Sequence, residues 1–337
     1  MKVIISFAIS FLFFVGCKSA EDNSSFYMPG QFEEQEAVWL GWQGYDPYYP
    51  VGADMIEALL PFVQIKVITE SDSILQVCKT YLSERNLDTT KIKFYVISDN
   101  EFWIRDHGAA FIINKNGEIQ AVDFQWGTYG YRQWLIEKFN NDVQKADSVF
   151  SKSAASKRGA VDSLMAVADN IPVLKSWIVM EGGSIEVNGK GTLILNEPLT
   201  LSRNNGASKD SIEQEFKRVL GVKNIIWLPH GLAEDPHIWQ TISEKYIGFG
   251  TGGHTDEFVK FADANTILLA WVDEEEKDKN PINRINYDRM NINYEILKNA
   301  NNENGEPFKI VKVPLPDIIA QPVIILEANQ WDDSYNI

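Results

Sequence analysis

Cysteine is nearly absent from this chain of 337 residues, which holds only Cys17 and Cys78. Two are too few for a disulfide framework. Histidine is also scarce, at four, and apart from His254 the remaining His107, His230 and His237 form no ligand cluster of recognisable spacing, so no metal is assigned. Basic residues are in deficit, 31 lysines and arginines against 47 aspartates and glutamates, for a formal charge of −16. That balance disfavours nucleic acid and anionic lipid surfaces as partners. It suits cationic ligands and, equally, simple solubility. A long hydrophobic run is missing too: the stretch from Val3 to Val15 is too short to cross a bilayer as a helix.

What is present is a chain with 45% hydrophobic and 12% aromatic residues, enough to bury a sizeable α/β core. Its first residues pair Lys2 with the short apolar run and then give Val15-Gly16-Cys17-Lys18-Ser19, the pattern of a cleaved export signal. Gly16 before Cys17 resembles a bacterial lipobox, with Phe14 where leucine is usual. The expectation is a signal peptide over residues 1–17, a lipid on Cys17, a polar tether over 18–27 and an enzyme domain over 28–337, exported and anchored to the bacterial cell envelope. An ordinary secretory signal cut a few residues later is the alternative. Cys78 sits among Ile74, Val77, Tyr81 and Leu82 at helical spacing, which marks a packed core thiol rather than a nucleophile.

Short β-branched runs alternate with helical stretches throughout. Asn114 to Gly117 and Asn188 to Gly191 carry the Asn-Gly signature of hairpin turns. Helices are predicted over 55–60, 73–86, 143–168, 208–220 and 288–300, the fourth with Ser208 as N-cap. With no long linker, the reading is one domain of strand, hairpin and helix units that repeat weakly as ββαβ modules.

Three segments carry chemistry: Trp103-Ile104-Arg105-Asp106-His107-Gly108, Met180-Glu181-Gly182-Gly183 and Gly252-Gly253-His254-Thr255-Asp256. A site that hydrolyses a guanidinium needs carboxylates to pair with its N–H groups, a thiolate to attack its carbon and a histidine to move protons. Asp106, His254 and Asp256 match the parts other than the thiol. On a strand, positions i and i+2 share a face, so His254 and Asp256 are expected to project together from one. The adjacent Gly250, Gly252 and Gly253 allow close approach of backbone to ligand.

Together with Met28-Pro29-Gly30-Gln31-Phe32 leading to Trp39, Leu199 to Asn204, and Leu268-Leu269-Ala270-Trp271, these segments resemble the agmatine deiminase family, which includes the bacterial peptidylarginine deiminases. The resemblance implies an α/β propeller of five ββαβ modules, pentein-like, with a central pocket. It implies hydrolysis of a guanidino group to a ureido group and ammonia through a covalent amidino-thiol, with agmatine giving N-carbamoylputrescine as the leading substrate. An arginine peptide is the second, and an inactive guanidinium-binding remnant the third. No metal or organic cofactor is implied. Asp106 and Asp256 take the guanidinium-binding places and His254 that of the general acid and base. Glu181 either lines the site or is a buried carboxylate capping its turn. Trp126 is either part of a selectivity wall or core, and Trp103 and Arg105 support the Asp106 loop.

The chain departs from the family in Glu101, where aspartate is usual, and in Ala109, where proline is. The larger departure is the nucleophile: no cysteine follows Cys78, where the family places one in a glycine-rich C-terminal segment. The resulting expectation is a C-terminally truncated, inactive chain whose last module is largely missing, leaving strand edges exposed.

Overall fold

The two Asn-Gly turns fold as their sequence dictates, and each starts a unit of the same shape. In the computed structural model, which describes residues 24–98, 101–237, 240–243 and 245–322, strands β4 (Ala110–Ile113) and β5 (Ile119–Gln125) form an antiparallel hairpin about Gly117, at φ 81°. Four helices follow: α4 (Tyr131–Lys138), α5 (Val143–Phe150), α6 (Ala154–Lys157) and α7 (Val161–Ala168). The chain then returns as β6 (Val173–Val179), parallel to β5. The next unit repeats the plan with β7 (Glu186–Val187), β8 (Thr192–Asn196), α8 (Glu197–Arg203), α9 (Lys209–Leu220) and β9 (Asn224–Leu228). So does the last, with β12 (Val259–Asp263), β13 (Thr266–Trp271), α10 (Pro281–Asn299) and β14 (Lys309–Pro314).

The first unit departs from ββαβ. Its strands β1 (Ala37–Trp42), β2 (Gln64–Thr69) and β3 (Ile92–Val96), joined by α1 (Tyr49–Leu59) and α2 (Asp72–Glu84), all run parallel. A two-stranded hairpin, β10 (Gln240–Ser243) with β11 (Tyr246–Gly248), is inserted before the last unit.

Helix ends differ from the sequence expectation where capping chemistry intervenes. The helix predicted over 143–168 is broken, because Ser153 Oγ donates to Phe150 O (2.8 Å) and accepts the Ser156 N–H (3.2 Å), ending one helix and capping the next. Helix α10 begins at Pro281 rather than 288, with Asn280 as its N-cap through Asn283 N–H (2.8 Å). Helix α9 starts as predicted, Ser208 accepting from Ser211 N–H (3.2 Å).

The sheets bury their faces under their own helices and under those of the next unit. Ile65, Val67, Ala53, Ile56, Cys78 and Leu82 close the first unit, and Ile267, Leu269, Met290 and Leu297 the last. The middle two units share one core, in which Ile112, Val122 and Ile178 meet Leu193, Leu195 and Phe216. The end of the predicted tether belongs to this core: Phe26 packs on it, Tyr27 exchanges backbone hydrogen bonds with Ile113 (2.8 and 2.9 Å), and Met28 N–H reaches Leu220 O (3.0 Å). Cys17 and the residues after Pro322 lie outside the described residues, and no described helix is long and apolar enough to cross a membrane.

Candidate active site

The three segments singled out from sequence are the loops that leave β6 and precede β4 and β12. Asp106 lies on α3 (Ile104–His107), a single helical turn. Its N–H donates to Trp103 O (3.0 Å), so Trp103 supports the turn through its backbone while its ring stays exposed. Upstream, Glu101 pairs with Arg158 at 2.9 Å. Asp106 Oδ1 accepts the Gly183 N–H (3.0 Å) and Oδ2 the Tyr129 hydroxyl (2.9 Å). Burial raises the pKa of Asp106; the charge of His254 and the Tyr129 hydrogen bond pull it down, and Glu181 and Asp256 push it up again.

His254 and Asp256 do not lie on a strand. Gly252 and Gly253 adopt φ of 98° and 105°, left-handed values that reverse the chain, and His254 caps a 3₁₀ turn over Thr255–Glu257. The loop is wrapped around the carboxylate of buried Asp235. That group accepts the N–H groups of Thr251, Gly253 (2.6 Å) and His254 (2.9 Å) and the Thr251 hydroxyl (2.7 Å). Thr255 Oγ1 then donates to Ser184 O (3.0 Å), fastening this turn to the Glu181 segment.

The glycines after Glu181 show why the segments meet. A Cβ on Gly182 would lie 2.0 Å from Arg105 O, so the α3 backbone and this turn touch directly. A Cβ on Gly183 would lie 2.6 Å from His254 Nδ1, 2.8 Å from Asp106 Oδ1 and 3.0 Å from Asp256 Oδ2. The three polar atoms therefore face one point, which only a residue without a side chain leaves open.

Glu181 is fully buried. Both of its oxygens accept from Arg203 Nε (3.0 and 3.1 Å), and Oε2 lies 3.6 Å from His254 Nε2, too far for a hydrogen bond but close enough for strong attraction between charges. Burial would raise the Glu181 pKa, but Arg203 and His254 outweigh it and hold it at about 2. Burial likewise disfavours charge on His254, yet Glu181, Asp106 and Asp256 lift its pKa to about 9, so the ring is an imidazolium at neutral pH. Glu181 makes no capping hydrogen bond to its own turn; its carboxylate faces Arg203 and His254 instead.

Trp126 is buried with its ring 5.9 Å from His107 and 5.3 Å from Tyr129. Cys78 is buried in the first unit, its thiol pushed up to about 12 by burial, and it takes no part in the site. Sequence reasoning missed Tyr129, Arg203 and Asp235. Consecutive positive φ values at Thr128, Tyr129 and Gly130 mark a constrained loop, for which Gly127 and Gly130 were the visible signal. Among the described residues, no group of three or more His, Cys, Asp or Glu is arranged to hold a metal ion.

The sequence model of the Porphyromonas-type peptidyl-arginine deiminases matches residues 27–336. The chain belongs to this family. It is 28% identical over 302 residues to the agmatine deiminase of Pseudomonas putida strain KT2440, the match covering 86% of this chain and 71% of that protein. The agmatine deiminase of Stutzerimonas stutzeri is also 28% identical, over 325 residues, with 94% and 79% covered. Among solved structures, an agmatine deiminase of Enterococcus faecalis superposes with a TM-score of 0.66 at 25% identity, covering 90% of this chain and 73% of that one. The mixed α/β fold and the deiminase family are thereby established.

Proposed function

We propose that this chain binds a guanidinium between Asp106 and Asp256 for deimination, with His254 as the proton carrier and agmatine as the substrate. The observation that carries the reading is the convergence of His254 Nδ1, Asp106 Oδ1 and Asp256 Oδ2 on the open face of Gly183. Two carboxyl groups from separate loops suit a planar cation with N–H groups on several edges. The pKa of about 9 at His254 suits a group that begins as an acid. In the first half of the proposed reaction a thiolate adds to the guanidinium carbon and ammonia departs with a proton from His254. In the second, His254 takes a proton from water, which displaces the thiolate and leaves a ureido product.

No thiol among the described residues reaches the site: Cys78 is remote and buried, and Cys17 lies outside them. We therefore propose that residues 1–337 bind the cation without turnover, no described thiol being placed to attack it. In the same proposal the four three-stranded units described are modules of a five-module ring, and Cys17 carries a lipid that holds the exported protein on the cell envelope. Fatty-acid labelling lost in Cys17→Ser tests the anchor.

A peptidyl-arginine substrate is the second reading. It is favoured by the family description and by a row of aromatic rings, Tyr45, Tyr48, Phe102 and Trp103, with centroids 5.1, 4.7 and 5.4 Å apart, which adjoins the Asp106 turn and could receive a longer ligand. Titration calorimetry with agmatine and with an arginine peptide, on the full chain and on Asp106→Asn and Asp256→Asn, tests both. Agmatine binding lost in both variants is the expected result; preference for the peptide selects the second reading, and binding indifferent to both variants contradicts the proposal. Ammonia release abolished by His254→Ala would overturn the expectation of no turnover.

A further inference from the structure

A buried arginine beside a site meant for a cation needs a reason, because its charge repels the ligand. Arg203 ends α8, and Arg203, Leu199 of the same helix and the N-cap Asn196 all engage the loop that carries His254. Asn196 Nδ2 donates to Gly253 O (2.8 Å), the Leu199 side chain lies 3.4 Å from the Cβ position of Gly252, and Arg203 Nη2 donates to Thr251 O (2.6 Å). Arg203 Nε meanwhile binds both oxygens of Glu181 (3.0 and 3.1 Å). Its Nη1 lies 2.5 Å from where Gly130 would carry a Cβ, so the Tyr129 loop rests on the same guanidinium.

We propose that Arg203 is a positioning residue: its fork locks the loops of Glu181, His254 and Tyr129 together, and its charge occupies Glu181 so that this carboxylate orients His254 instead of taking the substrate cation. The inference rests on the reading of His254 as the proton carrier. A lysine, a point charge, cannot serve Glu181 from one nitrogen and Thr251 O from another, and with Glu181 engaged a bound guanidinium is left with Asp106 and Asp256. Other charged or titratable groups face His254 as well: Asp106 from α3 at 3.5 Å, Asp256 and Glu257 from its own turn, and the Tyr129 ring at 6.0 Å. All four are left unmutated in the variants below.

The test is the titration of His254, followed by NMR in the full chain with its four imidazoles. Glu181→Gln removes the negative partner, and the His254 pKa should fall by about one unit or more. Arg203→Lys keeps the charge but loses the fork that holds Glu181 beside His254, so the His254 pKa should fall toward that of Glu181→Gln and the melting temperature should drop. A His254 titration in Arg203→Lys that matches the parent, whatever the melting temperature, overturns the proposal. Should that variant not fold, an unchanged His254 titration in Glu181→Gln overturns it. Agmatine binding by the parent chain is scored separately, so failure of the substrate reading leaves the titration outcome intact.

Discussion

Gly183→Ala separates the site from the fold more cleanly than any other single change. Gly183 does not occupy the left-handed region, so alanine meets no backbone penalty there. Its methyl group would instead stand 2.6, 2.8 and 3.0 Å from His254 Nδ1, Asp106 Oδ1 and Asp256 Oδ2, and at least one of these must retreat. His254 is buried, Asp106 is largely so, and both are tied down, so overpacking should cost about 1–3 kcal/mol of stability. Binding should suffer more. Displacing one charged partner from a guanidinium forfeits a hydrogen bond of about 1.5–3 kcal/mol, which is roughly a tenfold to hundredfold rise in the Kd for agmatine. Calorimetric titration alongside thermal melting measures both. A Kd unchanged within about threefold in a folded variant would show that the three side chains do not meet at the ligand, and the reasoning would be wrong.

Other outcomes follow from the same geometry. The raised pKa of His254 contributes stability in full below its ordinary 6.5 and loses it as pH climbs through about 9, whereas the depressed pKa of Glu181 contributes stability above 4.5 and loses it as pH falls through about 2; the melting temperature should therefore decline on both flanks, and Glu181→Gln should shrink both declines. Asp235→Ala strands the N–H groups of Thr251, Gly253 and His254, and should cost about 3 kcal/mol or more in denaturant unfolding. Cys78, with its thiol pushed up to about 12, should resist alkylation in the native chain and react after unfolding, as mass spectrometry would detect.

Local chemistry was legible in the sequence and long-range chemistry was not. The turns at Asn116-Gly117 and Asn188-Gly189 and the Ser208 cap announce themselves because donor, acceptor and backbone freedom lie within a few residues. The Ser153 break inside the predicted 143–168 helix was equally local, its hydroxyl bonding Phe150 O and Ser156 N–H. Asp106, His254 and Asp256 stood out as a constellation and do converge, yet the strand argument for His254 and Asp256 failed: two left-handed glycines bring them together through a turn. Asp235, Arg203 and Tyr129 act on partners 16 to 23 residues away or more. Gly127 and Gly130 flag the Tyr129 loop but not its partner, and nothing near Asp235 or Arg203 distinguishes them from solvated polar residues, because the contact that gives each its role exists only after the units pack.

The central claim is that Asp106 and Asp256 grip one flat cation beside His254. A crystal structure of the full chain soaked with agmatine tests it directly. The account predicts the guanidinium over Gly183, with N–H groups donating to both carboxylates and the imidazole alongside. An ordered agmatine held elsewhere, or carboxyl groups of Asp106 and Asp256 that open into different cavities, would contradict it.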